Sequence, residues 1–206
     1  MREFIYYSKN AVTAGNFIKD NLMKAGRMDI VCNVLIQSFF ISNQIRKDLR
    51  LHMVFDGPPF GARHLIFDFS DVDEEEIMIS KKDIAGLIKR MLYKCPKESG
   101  KISEVFPGCF IEIKSLENLA IELKKSGKII YLLDEKGDDI RNIKNYGGNE
   151  VFIFGDHDGF PKDKKKFLKN FDKIAVSPKI LFSSQVAVIL NNEIDRKKEE
   201  QISAIE

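Results

Sequence analysis

The stretch VFIFGDHDGFP, residues 151–161, decides the fold class. Its first part, VFIFG (151–155), is short, nearly all apolar and flanked by loops, as a strand buried on both faces of a parallel sheet should be. Asp156, His157 and Asp158 follow between Gly155 and Gly159, and Phe160 and Pro161 lead into a Lys-rich helical pattern at about 161–170. Ligands of parallel α/β sheets bind at the carboxyl ends of strands, and two glycines let the backbone bend closely around one. Turn chemistry alone accounts for the same residues as a β-to-α connection without a ligand. Three adjacent donors point in different directions on any regular backbone, which argues against a metal at Asp156, His157 and Asp158.

Working outward, the carboxyl-terminal half alternates strands and helices. CFIEI (109–113) precedes a helix opened by Ser115 and closed near Gly127; KIIYLL (128–133) and KIAV (173–176) read as further strands, and a final helix lies near 184–196. This predicts an α/β fold with a mostly parallel sheet. Val186, Ile189 or Leu190, and Ile194 form a stripe on the final helix, suited to a core or to a dimer contact. DRKKEEQ (195–201) reads as a fraying, solvated helix end. In the other half, MDIVCNVLIQSFFI (28–41) has the three-and-four spacing of a core helix, and LHMVFDG (51–57) pairs with HLIFDF (64–69) as a hairpin through GPPFGAR. Past the acidic run 71–76, Ser80 and Asp83 open another helix, and 94–108 reads as a polar loop. MREFIYYSKN offers only a short apolar patch behind Arg2 and Glu3, which is no secretory segment.

The chain's 206 residues and 23.6 kDa suit one domain, 1–206. With 44% hydrophobic and 31% charged residues it buries a core, and a net charge of +2 means that any nucleic acid must be held by local basic patches. Cys32, Cys95 and Cys109 are widely spaced and the chain has three histidines, so neither a disulfide framework nor a structural zinc site assembles. No run of apolar residues spans a bilayer. These features suggest a cytoplasmic protein without a membrane or metal partner.

No G-x-G-x-x-G follows a strand and no G-x-x-x-x-G-K-[ST] occurs, which disfavours nucleoside triphosphates and dinucleotides. An adenosyl cofactor without phosphates escapes that objection, and S-adenosylmethionine fits the description. Arg27 and Asp29 open the first helix, where a carboxylate suits the helix N-terminus and an arginine forks onto phosphate; a plain cap explains them equally. Arg46, Lys47 and Arg50 lie about one turn apart, and Arg63 sits in the hairpin loop, positions suited to a nucleic-acid backbone or to a solvated surface. The cluster Lys162, Lys164, Lys165, Lys166 and Lys169 is weak evidence for either. No serine-hydrolase, cysteine-nucleophile or paired-carboxylate pattern assembles.

GRMD (26–29), IRKD (45–48), DGPP (56–59), FPG (106–108), GDHDG (155–159) and VSP (176–178) occur in the order of the archaeal tRNA pseudouridine-54 N1-methyltransferase family, TrmY, of the SPOUT class, which the chain resembles over nearly its whole length. The resemblance implies a deep trefoil knot in the carboxyl-terminal part, S-adenosylmethionine held in it, and a homodimer. Residues about 1–108 would form the substrate and dimer side and about 109–206 the cofactor-binding region. Three loops would hold the cofactor: Leu132 and Leu133; Gly155, Asp156, His157 and Gly159; and Val176, Ser177, Leu181 and Val186. The resemblance implies that N1 of pseudouridine attacks the methyl carbon; by residue type and motif position, Asp29 is the candidate to take the N1 proton, Arg27 to orient a phosphate or the base, and Arg46 and Arg63 to hold the tRNA arm. The family typically continues Ser-Pro with Leu-His-Ala-Asn-His-Cys; here Ser177-Pro178 leads to Lys179-Ile180-Leu181-Phe182-Ser183-Ser184-Gln185-Val186, so no catalytic cysteine carries over. Two rivals share the fold: an rRNA pseudouridine N1-methyltransferase and a non-catalytic RNA-binding protein.

Overall fold

The computed structural model describes residues 1–42, 44–73, 80–143 and 148–203; residues 74–76 of the acidic run lie outside them. The strand at the heart of the sheet is one that the sequence reading leaves unassigned. β1 (Arg2–Ser8) is buried along its whole length and lies between β4 (Leu49–Phe55) and β9 (Glu150–Gly155), parallel to both. Period-two alternation sends Phe4 and Tyr6 to one core and Ile5 and Tyr7 to the other. Each of these side chains is fully buried, which contributes roughly 1.5–3 kcal/mol apiece for the apolar ones.

Around it runs an eight-stranded sheet of order β10-β8-β9-β1-β4-β5-β7-β6, with β5 (Arg63–Asp68), β6 (Ile102–Phe106), β7 (Cys109–Glu112), β8 (Ile129–Asp139) and β10 (Asp172–Ala175). β10, β8, β9, β1 and β4 are parallel, whereas β5, β7 and β6 follow as an antiparallel extension. The sheet is thus mixed and mostly parallel, and its strand order turns back at β8: the chain leaves β8 for β9 on one side, then crosses to β10 on the other. A separate two-stranded ribbon joins β2 (Phe40–Ile41) and β3 (Gln44–Ile45). One face packs on α1 (Met28–Phe39), α2 (Lys81–Tyr93) and α5 (Ser183–Ser203); residues of α3 (Leu116–Lys125) and α4 (Lys162–Leu168) join the opposite core. Ser80 and Ser115 cap α2 and α3 by accepting from the Asp83 and Asn118 amides, as their spacing predicts. No helix among the described residues is long and apolar enough to cross a membrane.

Three expectations change. Residues 94–108 are not wholly loop, because β6 pairs antiparallel with β7; its alternation is hard to see since this edge strand leaves Ile102 exposed. Arg46, Lys47 and Arg50 do not share a helical turn, lying instead around the start of β4. The end of α5 does not fray. Asp195 accepts from Arg2 at 2.7 Å and from both ends of Arg46 at 3.0 and 2.8 Å, Lys198 reaches Asp48 at 2.5 Å, and Asn191 accepts from Arg2 at 2.9 Å. Arg2 and Glu3 are only 5% and 4% exposed, because these partners and Lys128, 2.8 Å from Glu3, compensate their charge.

A second polar chain crosses the sheet: His52 Nδ1 lies 2.9 Å from His64 Nε2, and His64 Nδ1 lies 2.9 Å from Glu112 Oε1. Burial pulls the His64 imidazole down to about 4, against the opposing hydrogen bond of Glu112. For Glu3, burial acts to raise the carboxyl but His52 and Lys128 outweigh it and hold it at about 2. Both groups bind protons more readily when unfolded, so each stabilises the fold at neutral pH and loses that contribution as pH falls. For His64 the loss runs from about 6.5 down to 4 and amounts to ~3 kcal/mol; for Glu3 it runs from 4.5 down to about 2. Urea denaturation at a series of pH values is expected to show a falling midpoint below about pH 6.5, with the drop above pH 4.5 reduced in His64→Gln; a midpoint flat from pH 7 to 4.5 contradicts this account.

Candidate active site

The loops after β1, β4 and β9 meet at the carboxyl edge of the parallel strands, where such sheets hold ligands. Asp156, 8% exposed, knits them together. Its Oδ2 accepts from the Ser8 hydroxyl at 2.8 Å, its Oδ1 from the Asp158 amide at 2.9 Å, and its carbonyl from the Gly159 amide at 3.0 Å, while its own amide donates to Tyr7 at 3.0 Å. Asn10 donates to Asp158 at 2.5 Å, and so fastens the loop after β1 to this turn. The turn is not regular backbone, and the expected divergence of Asp156, His157 and Asp158 fails: their donor atoms lie within 4.8 Å of one another. Those carboxylates are nonetheless engaged in holding the loop.

Beside this turn lies a cleft of about 330 Å³, within the range of small-molecule sites. One wall is Leu133, Asp134 and Glu135; the floor is Phe154, Gly155, Asp156, Gly159 and Phe160; Val176, Ser177, Leu181, Ser183 and Val186 close the other side. Phe160 stacks on Tyr7 with centroids 5.4 Å apart. Ser183, the first residue of α5, donates to the Gly155 carbonyl at 2.7 Å, which locks the last helix to the turn. A Cβ on Gly155 would lie 3.2 Å from the Phe160 ring and 3.4 Å from Gly159 Cα, so a side chain there intrudes on the floor. Asp134 is held by Lys173 at 2.6 Å, which keeps its carboxyl below the ordinary carboxylate range. Glu135 stands next to it, and Lys165 and Lys179 also line the cleft, so its rim carries charge of both signs.

Of the cofactor candidates, Leu133, Gly155, Asp156, Gly159, Val176, Ser177, Leu181 and Val186 border this one cleft. Leu132 does not: it is 7% exposed and points into the core shared with Ile153 and Leu168, since alternation along β8 puts it on the opposite face from Leu133. His157 is exposed and stands outside the lining, its Nε2 3.7 Å from Asp158 Oδ1. Sequence reasoning missed Phe160, which directly follows Gly159 and was within reach of the motif. It also missed Ser183 and Glu135, whose roles come from α5 beginning where it does and from β8 running on past Leu133.

Arg27 and Asp29 approach the same edge. Gly26 has φ +67°, and a Cβ there would lie 1.7 Å from the Asn10 carbonyl oxygen, so the backbones of the 26–29 turn and the β1 loop touch. Arg27 follows at φ 61°, a left-handed conformation costing about 1–2 kcal/mol for a residue with a side chain. Its Nε and Nη2 each donate to an Asp29 oxygen at 3.0 Å, which lowers the Asp29 carboxyl and raises the Arg27 guanidinium, with the field of Asp158 adding to the latter. The buried Tyr6 phenol lies between the two motifs: burial pushes it up first, then Asp156, then more weakly Asp29, against the pull of Ser8 and Arg27.

The other arginines part company. Arg46 spends both guanidinium ends on Asp195 at the amino-terminal edge of the parallel strands, a strand length of ~20 Å from this turn. Arg63 stays near the site, bonded to the Gly61 and Ala62 carbonyls at 3.1 and 3.3 Å. In the Lys-rich helix, Lys164 is internal, 2.7 Å from Glu117. Burial pushes the Cys32 and Cys109 thiols up to about 12, which removes them as nucleophiles.

A cleft at the ends of parallel strands, lined by apolar side chains such as Leu133, Phe154 and Phe160 beside charged ones of both signs, marks an α/β protein with an open site at its sheet edge. Residues 1–199 match the family model described as "Putative SAM-dependent RNA methyltransferase". The chain belongs to this family, that of TrmY. It is 33% identical over 199 residues to the tRNA (pseudouridine(54)-N(1))-methyltransferase of Methanococcoides burtonii, covering 95% of this chain and 96% of that protein. The protein of the same name from Methanococcus aeolicus is 33% identical over 206 residues, covering 96% and 99%. Among solved structures, Archaeoglobus fulgidus Nep1 bound to S-adenosylhomocysteine shares the fold with a TM-score of 0.60 at 14% identity, covering 96% of this chain and 99% of that one.

Because Asp156 satisfies a buried hydroxyl and a loop amide at once, Asp156→Ala is expected to destabilise the fold by ~1–3 kcal/mol. Thermal unfolding together with faster proteolysis at the 155–160 turn checks this; an unchanged melt and cleavage rate refute the role given to the carboxylate.

Proposed function

We propose that the chain is an S-adenosylmethionine-dependent methyltransferase acting on N1 of pseudouridine 54 in tRNA. The observation that carries this is the agreement with two tRNA (pseudouridine(54)-N(1))-methyltransferases at 33% identity over at least 95% of the chain. The cleft supports it: its size suits an adenosyl compound, and a Cβ at Gly155 would crowd the Phe160 ring that forms part of its floor. When bound, S-adenosylmethionine supplies an electrophilic methyl group.

In this reading Gly155, Gly159, Val176, Ser177 and Leu181 hold the adenosine through main chain and apolar contact, with Leu133 and Val186 at the margins and Asp156 supporting the turn from behind. Arg27 and Asp29 serve the RNA. As both Asp29 oxygens are occupied by Arg27, the carboxylate is freed to take the N1 proton when the guanidinium turns to an RNA phosphate, a better partner for its fork. Substrate arrival and the readiness of the base are thereby coupled. Arg63 holds the tRNA arm beside them.

The reading extends to the assembly. Residues about 1–108 take the RNA and about 109–206 the cofactor. The return of the chain across β8 and the passage of 176–182 back to α5 support the trefoil knot of the SPOUT class. Ile180, Phe182 and Val188 are 83%, 69% and 43% exposed on that segment and the start of α5, an apolar surface that supports a homodimer. The protein then works in the cytoplasm on tRNA.

Methyl transfer to matched T-arm transcripts tests the activity: product is expected with pseudouridine at position 54 and none with uridine, and equal labelling of both or of neither sinks the proposal. Gly155→Val is expected to weaken S-adenosylmethionine binding at least tenfold in titration calorimetry while the fold melts cooperatively. Asp29→Asn is expected to cut kcat by ~100-fold with little change in the KM for RNA, whereas Arg27→Ala raises that KM; near-normal kinetics for both variants remove these roles.

A further inference from the structure

Three exposed aromatic rings surround the loop after β1. Phe17, Phe60 and Tyr93 are 49%, 56% and 59% exposed, although each belongs to a different part of the chain. Thr13 and Gly15 bring them together. The Thr13 hydroxyl accepts from the Phe60 amide at 2.9 Å and donates to the Gly57 carbonyl at 3.0 Å; Gly15 is packed so closely on α2 that a Cβ would lie 2.8 Å from the Tyr93 ring; and Phe17 follows in the short helix Gly15–Phe17. This region adjoins the 155–159 turn, since the same β1 loop carries Asn10, the partner of Asp158.

The segments that carry the three rings, 9–19, 57–67 and 84–97, are basic within, although Asp20, Asp56, Asp68, Asp83 and Glu98 stand at their ends. They contain Arg63, Lys89, Arg90 and Lys94. Arg63 lies over the Phe60 ring, 5.2 Å from its centroid, and its buried Nε has no hydrogen-bond partner among the described residues. The excess of basic groups within these segments favours a strand of phosphates. Exposed π-faces add what a phosphate-binding patch alone does not need: surfaces on which unpaired bases stack, the mode by which RNA loops rather than duplexes are recognised.

We infer that Phe17, Phe60 and Tyr93, with Arg63 extending the Phe60 ring, form a stacking surface for unpaired bases of the substrate RNA, so that the enzyme selects a loop and not a helix. This rests on the proposed RNA substrate but concerns how it is recognised. Phe60 and Tyr93 supply two of the rings, and the basic segments hold the intervening phosphates.

Fluorescence anisotropy with a labelled T-arm hairpin and with a fully paired duplex of equal length tests this on the full chain. The wild type is expected to prefer the hairpin. Phe60→Leu with Tyr93→Leu, which keeps apolar bulk but removes the π-faces, is expected to raise the hairpin Kd about tenfold, leaving the duplex Kd, S-adenosylmethionine binding and the melting temperature unchanged. The chain has no tryptophan, so Phe60→Trp places one reporter in the patch, whose emission is expected to be quenched by the hairpin and not by the duplex. An unchanged hairpin Kd, an equal loss on both RNAs, or a change in oligomeric state without a change in RNA binding each overturns the inference. The two readings fail separately: hairpin stacking without methyl transfer by the wild type refutes the activity alone, and methyl transfer with an RNA KM unaffected by the double substitution refutes the stacking surface alone.

Discussion

A buried hydrogen bond from the Ser8 hydroxyl to the Asp156 carboxylate ties the end of the central strand to the turn that floors the cleft. Parallel strands deliver their carboxyl ends to one edge, but they do not by themselves set how the following loops sit against one another. Asp156 supplies that constraint, because one carboxylate accepts from β1 and from the amide of Asp158 within its own turn. Ser183 grips the same turn from the side of α5 through the Gly155 carbonyl. The shape of the site therefore follows from a few short polar contacts between segments distant in sequence, with apolar packing providing the platform beneath.

Charge is managed differently at the two edges of the parallel strands. At the amino-terminal edge Arg2 is buried and saturated by Asp48, Asp195 and Asn191, an arrangement that offsets the cost of removing a guanidinium from water and gives α5 a single docking position. At the carboxyl edge the Arg27–Asp29 pair is part-exposed, with Arg27 in a left-handed conformation, so it stays available to exchange partners. The same residue types are thus saturated and buried in one place and part-exposed in the other.

Much of the fold was legible because its signals are local. Ser80 and Ser115 mark helix starts through the amide three residues on, and the IIYLL and VFIF runs have no other comfortable home than a covered sheet. What escaped was set by distant partners. β1 begins with Arg2 and Glu3, whose burial makes sense only once Asp195 and Lys128 are beside them. Nothing near Arg46 in sequence reveals its partner Asp195. For the site, glycine spacing and strand ends located the cleft, while alternation along β8 separated Leu133 from Leu132 and was already implicit in the strand assignment. Ser183 and Glu135 depend on where α5 begins and on how far β8 extends, and neither boundary has a sharp sequence marker.

Held by Arg2, Arg46 and Asp48, α5 also governs the order in which the molecule is completed. Translation supplies β1 first among these elements and α5 last, yet the two lock together and Ser183 finishes one wall of the cleft. A nascent chain still lacking α5 has its sheet-forming residues but an unfinished chamber. A messenger truncated within the codons for 183–203 therefore yields a polypeptide deprived both of this fastening and of one wall of the cleft.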